Sequence, residues 1–191
     1  EDVYLRWAYA SFLRVIRLGA LTVSLLLPAA YIALVNYHQE MIPGLLLLTL
    51  AQGREAIPFP LIFNVVLMEL AFELIREAGL RVPSAIGPTI GIVGALLLGD
   101  MAVRSGLGTP SVVIVVAVTA LANFAVPDPE LQFAVRIGRF GFIFFASLMG
   151  AVGISLGAFV IAVHLASVRS FGVPYLSPIG PWRAGPLDVI L

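Results

Sequence analysis

The chain has 191 residues, 60% of them apolar and 12% charged, and its 11 Arg (there is no Lys) balance 11 acids to a formal net charge of zero. Soluble domains are roughly 45–50% apolar and about 25% charged, so the composition excludes an ordinary water-soluble core and points to lipid as the solvent. The absence of Cys excludes disulfides, thiolate metal sites and Cys nucleophiles, and the zero net charge gives no reason to expect a nucleic-acid partner.

Residues 1–13 read as an amphipathic start, with no signal-peptide pattern. Four stretches free of charged residues follow: Leu18–Gln39, Val82–Gly99, Ser105–Pro127 and Phe140–Val168. Each reaches the roughly 17–25 residues that a crossing requires. In hydrocarbon every backbone N–H and C=O must be paired internally, so each is expected to be a helix. The spans are placed at about 14–36, 84–103, 109–126 and 139–167, and Pro28 is expected to kink the first.

Between the first two spans, residues 44–79 read as two short helices around a Pro58-Phe59-Pro60 elbow. They are compatible with a re-entrant pair, an interfacial pair or a fifth crossing. The second carries Glu69, Glu73, Arg76 and Glu77 within an arc of about 100° on an otherwise apolar helix. Pro127-Asp128-Pro129-Glu130 reads as a turn leading into a short amphipathic helix with Arg136 and Arg139, and the Pro-rich tail, 170–191, as extended chain with Tyr175 and Trp182 suited to an interface. Arg6, Arg14 and Arg17 crowd the first span, which places the amino end in the cytoplasm, and with four crossings Arg104, Arg169 and Arg183 join them there. The fold class is therefore an all-α, polytopic membrane protein. It has a single domain over 1–191, with about four full transmembrane helices and one Pro-broken pair.

Two constellations stand out. Small residues recur on the second span at Gly87, Gly91, Ala95 and Gly99, and on the fourth at Gly150, Gly153 and Gly157. Such spacing lets helix backbones approach closely, either within one chain or between subunits of a homo-oligomer. The carboxylates Glu69, Glu73 and Glu77 form the second. One use is a solvated interfacial face with local Glu73–Arg76 or Glu77–Arg81 pairs. The other is an acid-lined cation path in an oligomer, with Glu55 at a mouth. Asp100 and Arg104 are spaced as an end-of-span pair. For catalysis, His38 with Glu40 and Ser155 near His164 lack any supporting motif, so no enzyme, metal site or cofactor is expected.

Several motifs together carry a resemblance: Ser11-Phe12-Leu13-Arg14, Leu26-Leu27-Pro28-Ala29-Ala30-Tyr31, His38-Gln39-Glu40-Met41-Ile42-Pro43, Arg54-Glu55-Ala56-Ile57-Pro58-Phe59-Pro60, Leu67-Met68-Glu69-Leu70-Ala71-Phe72-Glu73 and Arg169-Ser170-Phe171-Gly172-Val173-Pro174. Nearly end to end, the chain resembles the membrane domain of GerA-type spore germinant receptor A subunits, a family that includes a paralogous sporulation protein. The resemblance implies the inner membrane of the dormant spore and a soluble domain ahead of this one that these residues do not include. It also implies a transporter-like B subunit and a lipoprotein C subunit as partners, and a ring that passes monovalent cations when nutrient binds. Rival readings are a non-conducting scaffold and a solute carrier, the latter disfavoured because the one Pro-rich break has no counterpart in the second half.

Overall fold

The computed structural model describes residues 7–55, 57–81, 87–170 and 173–174. Helix α1 covers Trp7–Asn36 and is followed by a short 3-10 turn, Gln39–Met41. Then come α2 (Gly44–Glu55), α3 (Leu61–Arg81), α4 (Gly87–Arg104), α5 (Pro110–Phe124), α6 (Pro129–Met149) and α7 (Ala151–Ser167). A two-residue antiparallel ladder pairs Arg169–Ser170 with Val173–Pro174. The rest of the tail expected to be extended lies outside the described residues, as do residues 1–6 of the amphipathic start, whose remainder is continuous with α1.

Local chemistry sets the helix ends. Thr109 and Asp128 cap α5 and α6 by accepting from Val112 N–H (3.2 Å) and Glu130 N–H (3.1 Å). Each is followed by a Pro at the first helical position, where the missing N–H costs nothing. The Pro58–Pro60 elbow separates α2 from α3, as the sequence indicates.

Contacts fix the helix directions. Glu69 meets Arg139 and Glu73 meets Arg136, so α3 and α6 are antiparallel. A side chain on Gly94 would touch Ile75, and one on Gly99 would touch Val113, 3.2 Å away, so α4 lies against both α3 and α5. Tyr31 bonds Ser111 at the start of α5, while Tyr37 donates to the Ser147 carbonyl near the end of α6. Helices α1, α4 and α6 therefore run one way and α3, α5 and α7 the other. The main core sits between α1, α3 and α5, where Ile32, Val65, Val112 and Val116 are fully or almost fully buried.

Two expectations are corrected. First, the stretch 139–167 is not one span. Gly150 adopts φ +60, a left-handed conformation that glycine tolerates, and the chain reverses there against the Tyr37 ring. Arg136 and Arg139 thus sit on the same long helix as Phe142 rather than on a separate short one. Second, residues 61–81 form one full-length helix of the bundle, in keeping with the reading of 44–79 that adds a leg, and the grouping of Arg104 with Arg14 and Arg17 expected for four crossings does not hold, because α4 ends opposite the start of α1. Among the described residues, Tyr9–Asn36 and Pro129–Met149 are the helices long and apolar enough to cross a membrane. Helices α5 and α7 are apolar but have 15 and 17 residues. Four full spans are accordingly not what length and composition alone identify.

The return of α7 along α6 depends on missing side chains. A Cβ on Gly153 would overlap the Phe145 carbonyl, and one on Gly157 would press on the Phe142 ring at 3.0 Å. Gly153→Ala is expected to lower stability by about 2 kcal/mol or more, since neither backbone can yield cheaply. Gly141→Ala, facing open space on α6, should be neutral or stabilising by up to ~1 kcal/mol. Thermal unfolding of the two detergent-solubilised variants checks the contrast.

Candidate functional site

The site begins with a proline. Pro28 lies inside α1, which continues through it. Because Pro lacks an N–H, the carbonyl four residues earlier, that of Ser24, loses its helical donor. Arg139 supplies one: its Nε donates to Ser24 O at 2.8 Å. The close approach of α6 to α1 is eased by Gly138, whose absent side chain leaves room for Leu25.

From there the arginine reaches α3. Arg139 Nη1 donates to Glu69 Oε2 at 2.7 Å, and both side chains are almost wholly buried, 5% and 3% exposed. One turn along α3, Arg136 Nη1 donates to Glu73 Oε1 at 2.6 Å, with Glu73 about one-third exposed. A third arginine, Arg76, points to α5. The Asn123 amide, turned so that its oxygen faces the guanidinium, accepts from Arg76 Nη1 at 2.7 Å and from Nη2 at 3.2 Å. Arg76 and Arg136 also lie over the Phe124 and Phe133 rings, each 4.6 Å from the centroid. Charge from α3 and α6, an amide from α5 and a carbonyl from α1 thus converge inside the bundle.

The Glu69–Arg139 contact uses one oxygen and one nitrogen. Glu69 Oε1 and Arg139 Nη2 are buried without partners among the described residues. A buried pair that leaves polar atoms unpaired is a poor source of net stability, because desolvation of both charges offsets their attraction. Its value is positional, since the three helices share one register.

The acid stripe of the sequence is therefore differently partnered than a solvated face would be. A local Glu73–Arg76 pair is not formed, because this side of α3 faces inward to the arginines of α6. The side chain of Arg81, the other expected local partner, lies outside the described residues. Glu77 is exposed one turn beyond Glu73. Glu55 ends α2 at the opposite end of the bundle and is not brought near the other three acids. Asp100 and Arg104 pair as spaced, at 2.9 Å on the surface. Gly99, Gly150, Gly153 and Gly157 pack within the chain. The packing of Gly87, Gly91 and Ala95, also on α4, lies outside the described residues. Ser155 donates to its own helix, at Ala151 O, and both Ser155 and His164 are exposed on α7. No group of acids and histidines that could hold a metal occurs among the described residues.

Sequence reasoning missed Arg136 and Arg139 as part of the site. The signal was available in two arginines three apart at the head of an apolar run and in a Pro four residues after Ser24.

An all-helical bundle with ion pairs inside and large apolar side chains outside defines the class of this molecule. The chain belongs to the family described as Bacillus/Clostridium GerA spore germination protein, whose family model matches residues 1–191. It is similar to spore germination protein KA of Bacillus subtilis (strain 168), 46% identical over 184 residues, which is 96% of this chain and 34% of that protein. Spore germination protein GerLA of Bacillus cereus is 44% identical over 181 residues, 95% of this chain and 37% of that protein. An uncharacterised membrane protein of Bacillus subtilis (strain 168), YfkQ, is 43% identical over 183 residues, 96% of this chain and 36% of that protein. The chain spans about a third of the length of these curated relatives. No solved structure matches it.

If the charges are mutually compensating, removing one must cost more than removing both. Glu69→Met or Arg139→Met alone should destabilise by about 3–5 kcal/mol, because each leaves a buried charge uncompensated. The double variant should recover the part of that loss due to the unpaired charge, but not the ~1–3 kcal/mol of the Ser24 carbonyl that Arg139 no longer satisfies. A double-mutant cycle in denaturant or heat, on protein held in one detergent, measures the difference.

Proposed function

We propose that this chain is the membrane portion of a spore germinant receptor A subunit, which crosses the inner spore membrane and passes the nutrient signal on as a release of monovalent cations. The observation that carries the reading is the family match over the whole chain, joined to a bundle whose interior is charged and whose exterior is apolar. Phe144, Leu148, Val152, Phe159 and Val163 all face outward from α6 and α7. A surface of this kind calls for lipid or partner subunits.

Six helices, α1 and α3 to α7, then act as alternating legs, with the start of α1 and the end of α7 on one side. Arg distribution supports this orientation. Arg14, Arg17, Arg76, Arg136 and Arg169 gather toward the end where α1 begins, against Arg54 and Arg104 at the other. Arg retained on the cytoplasmic side places the start of α1 there.

In the conducting form of this reading, copies of the chain assemble and α3 borders the path. Glu73, partly exposed, and Glu77, exposed, are the acids within reach of an ion, whereas Glu55, at the other end of the bundle, is apart from them. Glu69 is held by Arg139 and sets the position of α3. A transporter-like B subunit and a lipoprotein C subunit are its partners in the receptor. A specific observation favours the alternative, a non-conducting scaffold: Arg136 and Arg139 neutralise two of the three stripe acids within one chain.

Flux from K⁺-loaded vesicles separates the two. A cation path along α3 predicts flux that falls several-fold, with loss of cation preference, in Glu73→Gln or Glu77→Gln. An assembled oligomer whose flux is absent, or is identical in the variants, contradicts the conducting form and leaves the scaffold.

A further inference from the structure

Helix α2 is seated loosely. It has no buried residue, and Leu45, Leu46 and Leu48 are exposed. Beneath it, against the end of α1, lies a hollow of about 270 Å³ lined by Val35, Gln39, Leu47, Leu50 and Ala51, with Arg54 at its edge. Past Ala51 and Arg54 it opens into a second hollow of about 350 Å³, bounded by Glu55, Ile57 and Phe59. Each is close to the ~300 Å³ at which small-molecule sites begin. Both hollows are open at the side, the first walled by α2 and the end of α1 and the second by the end of α2 and the elbow before α3, so together they form a groove that an elongated apolar ligand can enter laterally.

The charges at the mouth indicate the occupant. Arg54 and Glu55 are neighbours of opposite sign, and neither forms an ion pair or side-chain hydrogen bond among the described residues. Glu69 and Glu73, by contrast, each have an arginine partner on α6. An apolar hollow that opens onto an unmatched cation and an unmatched anion is complementary to an acyl chain carrying a zwitterionic headgroup. We propose that the groove under α2 binds one phospholipid with an amine headgroup, its acyl chain along Val35, Leu47 and Leu50, its phosphate on the Arg54 guanidinium and its ammonium on the Glu55 carboxylate. A planar guanidinium suits phosphate, and a primary ammonium donates hydrogen bonds to a carboxylate. The exposed leucines of α2 continue the apolar surface outward, so the lipid is shared between the groove and the surrounding bilayer.

This inference rests on the membrane placement proposed above, and its test keeps the two apart. The full chain is reconstituted in phosphatidylcholine vesicles doped with phosphatidylethanolamine or with phosphatidylglycerol, floated, extracted in mild detergent, and its retained lipids are weighed by native mass spectrometry. The expected result is one retained phosphatidylethanolamine. Its retention falls about fivefold in Arg54→Gln, an effect of the size of one basic contact to a headgroup. Glu55→Gln removes the preference for phosphatidylethanolamine over phosphatidylglycerol. Leu50→Trp, which fills the hollow, removes the lipid while the chain still floats. Equal retention in wild type, Arg54→Gln and Leu50→Trp overturns the proposal. So does a change of oligomeric state in Leu50→Trp without loss of lipid, which would make the groove an interface between copies. A chain that does not float with vesicles overturns the membrane placement as well.

Discussion

One contact governs the rest of the bundle: Arg139, held between the freed carbonyl of Ser24 and the carboxylate of Glu69. A charged side chain in an apolar surrounding has no water to satisfy it, so it must find its partners in the protein. Arg139 finds one on α1 and one on α3, and it is itself anchored on α6. Three helices from distant parts of the chain are thereby tied in one register. Apolar packing by Ile32, Val65, Val116 and Ile143 fills the space around that tie but does not choose the register. Residues of that kind tolerate sliding, whereas a buried ion pair does not.

The same logic explains why Glu69 and Glu73 occupy the same half of the molecule as Arg136 and Arg139. The far end of the bundle is fastened by neutral groups: the Tyr31–Ser111 hydroxyl contact, the Thr109 cap and the Tyr37–Ser147 bond. The end where α1 begins carries Arg76, Arg136 and Arg139 with Glu69 and Glu73. This asymmetry along the bundle axis is a directional signal in a membrane, where Arg-rich ends stay in the cytoplasm. It also means that any movement of α3 relative to α6 must break charge pairs, whereas movement of α7 need only disturb glycine-lined packing.

Much of this was legible in the residues. Charge-free stretches marked α4 and α5, the Pro58–Pro60 elbow marked the gap between α2 and α3, and Asp128-Pro129 marked the start of a helix. The period of Glu69, Glu73 and Glu77 correctly placed them on one face. What that face meets was not legible, because ion pairs between α3 and α6 join residues more than sixty positions apart and leave no local pattern. Pro28 points to a kink in one helix, whereas α1 continues through it and the consequence falls on the Ser24 carbonyl and so on a neighbouring helix. The break at Gly150 was hidden by uniformly apolar flanks: Phe144–Met149 and Ala151–Ile154 carry no polar residue other than Ser147, and glycine alone among apolar runs is a weak stop signal.

Glu69 and Glu73 belong inside the membrane only if α3 is a full leg rather than a surface helix. The chain has no Cys, so single cysteines can be placed without background. Phe59→Cys precedes α3, and Ala78→Cys lies near its end. Labelled in intact, oriented membranes with a membrane-impermeant maleimide, the two should react from opposite sides, Ala78→Cys only from the side that holds the start of α1. Reaction of both from the same side would contradict the account, because α3 would then turn back without crossing and the ion pairs would lie at a surface.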